Sequence, residues 1–351
     1  MSRDAAADLR QIAFCLERAL EPSYRVKAFR TAAGVLDELP PDEIAARAKA
    51  GTLEQLKGIG KVTALAISES LAGEEPNYLR RVSALGTTPV SEEAAKLRKA
   101  LRGDCHTHSD WSDGGSPIEE MARTARDLGH EWMVLTDHSP RLTVARGLSA
   151  ERLREQLGVV RELNTVFAEE ADGGAPAFRL LTGIECDINE DGSLDQDPSL
   201  LAELDLVVAS VHSKLRMPSE EMTPRMVAAI SNPHTDVLGH CTGRKVEGGK
   251  TRPESEFDAD LVFAACAAFD VAVEVNSRPE RQDPPKRLLR LALEAGCKVA
   301  INTDAHAPGQ LAWQELGCDR AARTGVPVDR VVNTWTADEL VAWAAQPPGG
   351  A

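Results

Sequence analysis

Residues 104–114 have the sequence DCHTHSDWSDG, in which a short predicted strand ends in two histidines and is followed by the acidic residue Asp113. His106 and His108 alternate with Thr107, so on a strand both imidazoles point to the same side. A strand that leads at once into ionisable side chains recurs along the rest of the chain. The residues directly after each predicted strand therefore indicate the chemistry of this part of the protein.

From Gly103 onward, short β-branched runs alternate with helical segments, which predicts an α/β domain. The predicted strands lie around Asp104–Thr107, Trp132–Thr136, Leu180–Ile184, Leu206–Val211, Val237–Gly239, Val271–Val275 and Val299–Asn302. All but the sixth, which ends at Asn276, lead into ionisable residues: His106 and His108, Asp137 and His138, Glu185, His212, His240, and Asp304 and His306. In a (β/α) barrel the carboxyl ends of the strands meet on one face, so these residues should lie together.

A single histidine near a strand end is more often satisfied by hydrogen bonds in the core or a loop. Six of the chain's eight histidines at equivalent strand ends favour a shared site instead. His130 and His234 precede strands and are assigned a structural role. Cys186 and Cys241 adjoin the ionisable residues but are better explained as small buried residues.

The residue types at these strand ends are typical of a metal site. The spacing Asp304-Ala305-His306 repeats the alternation of the first histidine pair. Imidazole and carboxylate ligands together suit Mn, Zn or Fe. The candidate ligands are too many for one ion, so we expect two or three divalent ions, with Mn²⁺ as the first choice and Zn²⁺ or Fe²⁺ as alternatives. Such clusters catalyse in-line phosphoryl displacement.

The segments DCHTHSDWSDG, LTDHS, TGIECDI, SVHSK, GHCTGR and INTDAH resemble the successive motifs of the polymerase-and-histidinol-phosphatase (PHP) phosphoesterases. The resemblance implies a distorted seven-stranded (β/α) barrel over residues 103–345 with a trinuclear metal site. By motif, the first metal takes His106, His108, Glu185 and Asp304, the second takes His212 and His240 with Glu185 bridging, and the third takes Asp113, His138 and His306. Asp113 stands where some members have histidine, and this variant resembles the PHP domain of bacterial family X DNA polymerases.

Further residues beside these motifs are candidates for the reaction. Lys214 follows His212 and Arg244 follows His240, and both are expected to hold phosphate. Arg278 or Arg281, after the sixth strand, is an alternative phosphate ligand, with solvated loop charge as the competing explanation. Asp137 is expected to orient a neighbouring ligand. Trp111 stacks on a base or forms a wall of the site.

The N-terminal part of the chain is predicted to be a separate helical domain, residues 1–82, joined by a linker at residues 83–102. Leu56–Ala64 resembles a helix-hairpin-helix, in which Gly58, Gly60 and Lys61 are expected to contact DNA phosphates without reading base sequence. The segment Tyr24–Arg30 and its helical context resemble the N-terminal domain of family X polymerases. The linker leaves no room for a polymerase palm domain, and the lysine of lyase-active relatives falls on Ala66, so neither of those activities is expected.

Composition limits the remaining classes of protein. The net charge is −15, but residues 1–100 hold 15 basic and 14 acidic residues, so the acidity lies in the barrel, where bound metal would offset part of it. Seven scattered cysteines without a CxxC pair are typical of reduced thiols in the cytoplasm. No apolar run is long enough for a membrane span.

Three functions are compatible with these features. The leading hypothesis is a DNA-processing phosphoester hydrolase, either a 3′–5′ exonuclease or an end-processing enzyme of repair. The first alternative is a phosphomonoesterase for a small metabolite such as histidinol phosphate. The second is a non-catalytic DNA-binding protein, against which the complete ligand set argues.

Overall fold

The computed structural model describes residues 3–171, 177–249 and 251–346. The chain divides into two compact units, one formed by Met1–Pro89 with Pro308–Gln310 and the other by Val90–Ala307 with Leu311–Ala351. None of the helices in the described residues is long and apolar enough to cross a membrane.

The first unit is helical. Its helices are α1 (Ala5–Arg18), α2 (Ser23–Asp37), α3 (Pro41–Ala50), α4 (Lys61–Leu71) and α5 (Asn77–Val82). The Asp4 carboxylate accepts a hydrogen bond from Ala7 N and caps α1, while Pro41 occupies the first position of α3. The apolar sides of α1 and α2 pack with α4 in one core that includes Leu9, Phe29 and Ile67.

The second unit contains a parallel sheet whose strands follow one another in chain order. They are β1 (Gly103–Thr107), β2 (Trp132–Leu135), β3 (Arg179–Asp187), β4 (Leu206–Ser210), β5 (Val237–Leu238), β6 (Ala272–Asn276) and β7 (Val299–Asn302). Thr107 forms a parallel bridge with Ala305, so the segment after β7 returns to β1. Seven parallel strands are thus nearly closed into a barrel, which confirms the predicted fold class.

Helices precede, connect and follow these strands along the chain. They are α6 (Glu92–Ala100), α7 (Ile118–Asp127), α8 (Ala150–Glu169), α9 (Pro198–Leu201), α10 (Ser219–Ile230), α11 (Ala259–Ala268), α12 (Lys286–Glu294), α13 (Gln314–Thr324) and α14 (Ala337–Ala344). Helix α6 lies in the stretch predicted as a linker. Its residues Ala94 and Leu97 are buried in a cluster with Leu289 and Val299, so this helix packs as part of the second unit.

Large aromatic side chains fill the barrel interior near the amino ends of the strands. The ring of Trp132 lies 2.1 Å from where a Cβ on Gly103 would be, so only glycine fits at the start of β1. Trp132 Nε1 donates to the Trp335 carbonyl at 2.9 Å, and Trp343 packs in the same cluster. The amino ends of the strands are therefore closed by packed side chains. The ionisable residues lie at the other end, after the carboxyl ends of the strands.

Candidate metal centre

Glu185, at the carboxyl-terminal half of β3, is buried at the centre of the predicted ligand set. Both of its oxygens face imidazole nitrogens that come from four other strand ends. From Oε2 the distances are 3.3 Å to His106 Nε2, 3.6 Å to His108 Nε2 and 2.9 Å to His138 Nδ1, and from Oε1 they are 3.2 Å to His212 Nε2 and 2.9 Å to His240 Nε2. Residues separated by more than a hundred positions in sequence therefore share one carboxylate.

Asp304 is the second buried carboxylate of the centre. Its Oδ1 lies 3.4 Å from His108 Nε2 and 3.5 Å from His306 Nδ1. Two arginines approach the same group, with Arg281 Nε at 3.2 Å from Oδ2 and Arg278 Nη1 at 3.7 Å from Oδ1. Asp304 has φ +53°, a left-handed backbone that non-glycine residues seldom adopt and that often marks functional positions.

Asp113, in the loop after β1, completes the more open side of the centre. Its Oδ1 lies 3.3 Å from His306 Nε2 and 3.5 Å from His138 Nε2. The Asp113 side chain is 39% exposed, whereas Glu185 is fully enclosed, so the centre opens to solvent beside Asp113. Trp111, two residues earlier, is half-buried and packs against the apolar core.

The nitrogens and oxygens of this centre fit divalent metal ions. Among the described residues, ligand atoms lie within 4.8 Å of one another in three groups: His108 with Asp113, His138 and His306; His106 with His108 and Glu185; and His138 with Glu185 and His212. Several ring nitrogens of the predicted ligands are buried and have no hydrogen-bond partner in the described chain, namely His106 Nε2, both ring nitrogens of His108 and His212, and His240 Nδ1. Buried polar atoms without partners are costly, and metal coordination would satisfy them.

Charges in the centre favour ligand-competent carboxylates. Burial alone would raise the pKa of Glu185, but His106, His212 and His138 hold that pKa well below its usual value. Burial likewise opposes ionisation of Asp304, and Arg278 and Arg281 outweigh it, so the pKa of Asp304 is also well below normal. Burial lowers the pKa of His212 but Glu185 raises it to about 9, so a metal that binds His212 must displace a proton.

Glu274 was not identified from the sequence, yet it contacts two predicted ligands. It lies on β6, where Oε1 accepts from His106 Nδ1 at 2.7 Å and Oε2 accepts from His240 N at 2.7 Å. The first bond places the His106 proton on Nδ1 and leaves Nε2 free to bind metal. The available signal was a glutamate inside the otherwise apolar strand segment Ala272–Val275.

Asp187 is a second carboxylate that sequence reasoning missed. It is buried at the end of β3, two residues after Glu185. Its Oδ1 accepts from His212 N at 3.1 Å and lies 3.7 Å from His212 Nδ1. Asp187 therefore holds His212 from the side opposite Glu185.

Asp137 contacts none of the ligand imidazoles through its carboxylate. It accepts from Ser109 N at 2.8 Å, Ser109 Oγ at 2.6 Å and Gln156 Nε2 at 2.7 Å, and also from Ser112 Oγ. These bonds hold the loop that carries His108 and Asp113. That Asp137 orients a neighbouring ligand stays a prediction, and the contacts with Ser109 and Ser112 place it to do so through this loop.

The predicted phosphate-binding cations are placed differently from one another. Lys214 is exposed in the loop after His212. Arg244 donates through Nε to the Arg281 carbonyl at 3.2 Å, and its other nitrogens contact the Gln282 carbonyl and Glu254. That Arg244 holds phosphate stays a prediction: its guanidinium contacts loop carbonyls and Glu254, whereas Arg278 and Arg281 are the arginines at Asp304.

The two histidines assigned to structure lie apart from this centre. His130 Nε2 lies 3.0 Å from both Gln314 Oε1 and Arg98 Nη2, and His234 precedes β5. Cys186 and Cys241 are buried.

In the first unit, the predicted hairpin glycines have different surroundings. Gly58 has φ +99°, and a Cβ there would lie 2.8 Å from Thr31 Cγ2, so glycine is required by the fold. Gly60 caps α4 with its N–H donated to Thr63 Oγ1 at 2.9 Å, and a Cβ there would meet no atom within 4 Å. Lys61 begins α4 and is exposed, whereas Ala66 is 2% exposed.

Comparison with protein families identifies both units. Residues 104–277 match the PHP domain, and residues 2–75 match a helix-hairpin-helix domain.

The chain is also similar to individual proteins of known name. The chain is 37% identical over 243 residues to the DNA polymerase/3′-5′ exonuclease PolX of Bacillus subtilis, a match that covers 69% of this chain and only 41% of that protein. It is 28% identical over 242 residues to a probable phosphatase of Thermoanaerobacter sp. strain X514, covering 66% of this chain and 89% of the relative. A solved histidinol phosphate phosphatase from Lactococcus lactis, complexed with zinc, L-histidinol and phosphate, is similar with a TM-score of 0.46 at 19% identity, covering 64% of this chain and 94% of that one.

Proposed function

Since the chain carries a PHP domain behind a helix-hairpin-helix domain, we propose that it is a metal-dependent phosphoester hydrolase that acts on DNA, as a 3′–5′ exonuclease or as an end-processing enzyme of repair. The observation that carries this proposal is Glu185, whose two oxygens face five imidazoles. Several of the surrounding ring nitrogens are buried without hydrogen-bond partners in the described chain.

The ligand set would hold two or three divalent ions, with Mn²⁺ favoured and Zn²⁺ or Fe²⁺ as alternatives. We assign the first ion to His106, His108, Glu185 and Asp304, the second to His212, His240 and Glu185, and the third to Asp113, His138 and His306. Divalent ions bound there would stabilise negative charge on phosphoryl oxygens and lower the pKa of water near the phosphorus.

Other residues of the protein would position the metal ligands and the phosphate of the substrate. Glu274 holds His106 in one tautomer, and Asp137 holds the loop that carries Asp113. Arg281 Nη1 is buried without a hydrogen-bond partner in the described chain, next to Asp304, where it can donate to a phosphate oxygen. Lys214, exposed after His212, adds positive charge at the entrance.

The first unit supports DNA as the substrate. The N–H groups of the first turn of α4 and the Lys61 ammonium suit phosphate, and such contacts do not depend on base sequence. The Gly60 N–H is already used by Thr63, so Lys61 N and Val62 N are the donors assigned to phosphate. The exonuclease named among the relatives agrees with this substrate, although the match covers 41% of that protein.

A small phosphomonoester is the second candidate substrate. It is favoured by the probable phosphatase of Thermoanaerobacter, most of whose length is matched. A non-catalytic DNA-binding role is disfavoured because no residue of the proposed ligand set is missing.

The cytoplasm is the proposed location. The seven cysteines are all free and buried, as expected for a protein in a reducing compartment.

The test of this function is hydrolysis by the purified full chain with Mn²⁺. The substrates are end-labelled single- and double-stranded DNA, beside histidinol phosphate. We expect release of nucleotides or of terminal phosphate from DNA, at a rate that falls as salt rises. Efficient hydrolysis of histidinol phosphate with DNA left intact would establish the alternative, and DNA binding without hydrolysis of either substrate would favour the non-catalytic role.

A further inference from the structure

A cavity of about 690 Å³ lies between the loop that follows β5 and the start of α12. The lining includes three arginines, Arg244, Arg252 and Arg287, together with the apolar side chains Phe257 and Leu288. This volume is within the range of about 300–1,000 Å³ that is usual for sites that bind small ligands. None of the proposed metal ligands lines it.

The cavity adjoins the candidate metal centre through two arginines. Arg244 lines the cavity and donates through Nε to the Arg281 carbonyl at 3.2 Å. Arg281 in turn has Nε 3.2 Å from Asp304 Oδ2. Arg281 therefore links a lining residue of the cavity with a proposed metal ligand.

The lining holds three arginines against the two glutamates Glu254 and Glu256, and further basic residues lie near it. Burial lowers the pKa of Lys245, and so does crowding by Arg281, Arg278 and Arg252. Glu254 neutralises part of the charge, because it pairs with Arg244 and Arg287. An anionic ligand would relieve the remaining repulsion.

Arg252 is the cation best placed to meet such an anion. Its Nε donates to the Gly243 carbonyl, which fixes the guanidinium. Its two terminal nitrogens have no partner in the part of the chain that the structure describes. Two parallel N–H groups of this kind match the geometry of phosphate oxygens.

Another part of the lining is apolar. Phe257 is half-buried and is held edge-on by Phe263, with ring centroids 6.3 Å apart. Leu288 and Leu291 extend this apolar surface along α12. An aromatic ring beside arginine is the combination that holds a base and its phosphate.

We propose that this cavity binds the nucleoside next to the phosphoester that is hydrolysed, with its base against Phe257 and a flanking phosphate oxygen on Arg252. The inference rests on the proposed function, since it takes the substrate to be a nucleotide ester. It adds a subsite that selects nucleotide esters over other phosphate esters. The pyrimidine or purine ring is held by contact area and not by base-specific hydrogen bonds.

The test compares two chromogenic diesters with the full Mn²⁺-loaded chain. Thymidine 3′-phosphate 5′-(p-nitrophenyl phosphate), the thymidine ester, carries a nucleoside and a flanking phosphate, and methyl p-nitrophenyl phosphate carries neither. Arg252→Ala should raise KM for the thymidine ester by about tenfold, as expected for loss of a charge-assisted phosphate contact, with kcat nearly unchanged. The methyl ester should be hydrolysed as by the unmodified protein.

Arg290→Ala is the matched control, because Arg290 is exposed on α12 outside the cavity lining. Phe257→Leu keeps an apolar side chain but removes the ring, and it should also raise KM for the thymidine ester alone. Thermal melting of each variant checks folding. Equal effects on both esters, or no difference between Arg252→Ala and Arg290→Ala, would overturn the subsite.

A binding measurement separates failure of the subsite from failure of the proposed function. The probe is thymidine 3′-phosphate with a 5′-phosphonate in place of the scissile phosphate, whose P–C bond resists hydrolysis, titrated calorimetrically into the same protein. If neither diester is cleaved, the proposed function fails, but about tenfold weaker phosphonate binding by Arg252→Ala alone would still support the subsite. If the phosphonate does not bind, or if Arg252→Ala and Arg290→Ala bind it equally well, the proposed subsite is wrong.

Discussion

At the residue scale, Glu274 is a buried carboxylate that contacts two of the proposed metal ligands, His106 and His240. Its oxygens receive four donors, from His106 Nδ1, His240 N, Asn276 Nδ2 and Asn302 Nδ2. In Glu274→Gln one carboxylate oxygen is replaced by an amide NH2 group. This group is a donor and faces two of these donors, so it cannot accept their hydrogen bonds. We expect metal affinity to fall about 10- to 100-fold, measured by competition with a chromogenic chelator. Glu294→Gln, exposed on α12, is the control, and equal affinities in both variants would contradict the assignment.

The clustering of the strand-end residues could be predicted from the sequence, whereas the contacts of Glu274 could not, for a physical reason. Parallel strands deliver their carboxyl ends to one face, so a motif at a strand end specifies a location without knowledge of distant contacts. Glu274 is inside a strand, and its role depends on His106, which lies far away in sequence. The direction of Arg244 could not be predicted for the same reason, since the Arg281 and Gln282 carbonyls that hold it belong to another loop.

His130 should make stability depend on pH. Burial, followed by the charge of Arg98, lowers its pKa to about 3, while the unfolded chain has a pKa of about 6.5. The unfolded state therefore takes up a proton first, and stability present above pH 6.5 is lost as pH falls toward 3. At pH 5 this effect should lower the free energy of unfolding by about 2 kcal/mol. In chemical denaturation, the free energy of unfolding of His130→Asn should fall between pH 7 and pH 5 by about that amount less than that of the unmodified protein. Identical decreases in the two proteins would contradict the lowered pKa of His130.

At the scale of elements, α10 braces two loops of the centre through one buried side chain. Arg225 is 2% exposed and donates to the carbonyls of Ile188, Asn189 and Ser213. The first two follow β3, which carries Glu185, and the third follows His212. The guanidinium thereby fixes the loops after β3 and β4 relative to each other.

Arg225→Met should loosen both loops while it fills a similar volume. Each carbonyl left buried without a donor costs about 1–3 kcal/mol, so unfolding in urea should occur at a clearly lower midpoint. Metal affinity should fall as well, because His212 loses its fixed position. Arg216→Met, at an exposed position near the same loop, is the control. Unchanged stability with unchanged metal affinity would show that the brace has no such role.

At the scale of elements, sequence patterns were sufficient to predict the strands but not the packing of α6. The predicted strands agree with the observed ones to within a few residues, because short apolar runs bounded by turns indicate buried parallel strands. The packing of α6 was not predicted. Its charged face suggested an exposed linker helix, and only Ala94, Leu97 and Leu101 reveal its buried side.

At the scale of the whole molecule, the proposed division of labour can be tested at the hairpin. Gly60→Leu should fold normally, because its φ of −103° is open to any residue and its Cβ would meet no neighbour within 4 Å. It should weaken DNA binding by obstructing the start of α4. Lys61→Ala should lower the slope of log affinity against log salt by about 1.

Hydrolysis of a small chromogenic phosphoester is the internal control for these variants, since no proposed metal ligand precedes His106. It should continue at the unmodified rate. Gly58 is unsuitable for the test, because a side chain there would collide with Thr31. Unchanged DNA affinity and salt dependence in both variants would show that the hairpin is not the DNA contact.

Hydrolysis is proposed to depend on a metal cluster around Glu185. The most direct measurement is the rate of phosphoester hydrolysis as Mn²⁺ is added back to the chelator-treated protein. We expect no activity without metal, a rise that levels off at two to three equivalents, and no recovery in Glu185→Gln at any equivalence. Full activity in the chelator-treated protein, or equal activity of Glu185→Gln, would contradict the metal cluster.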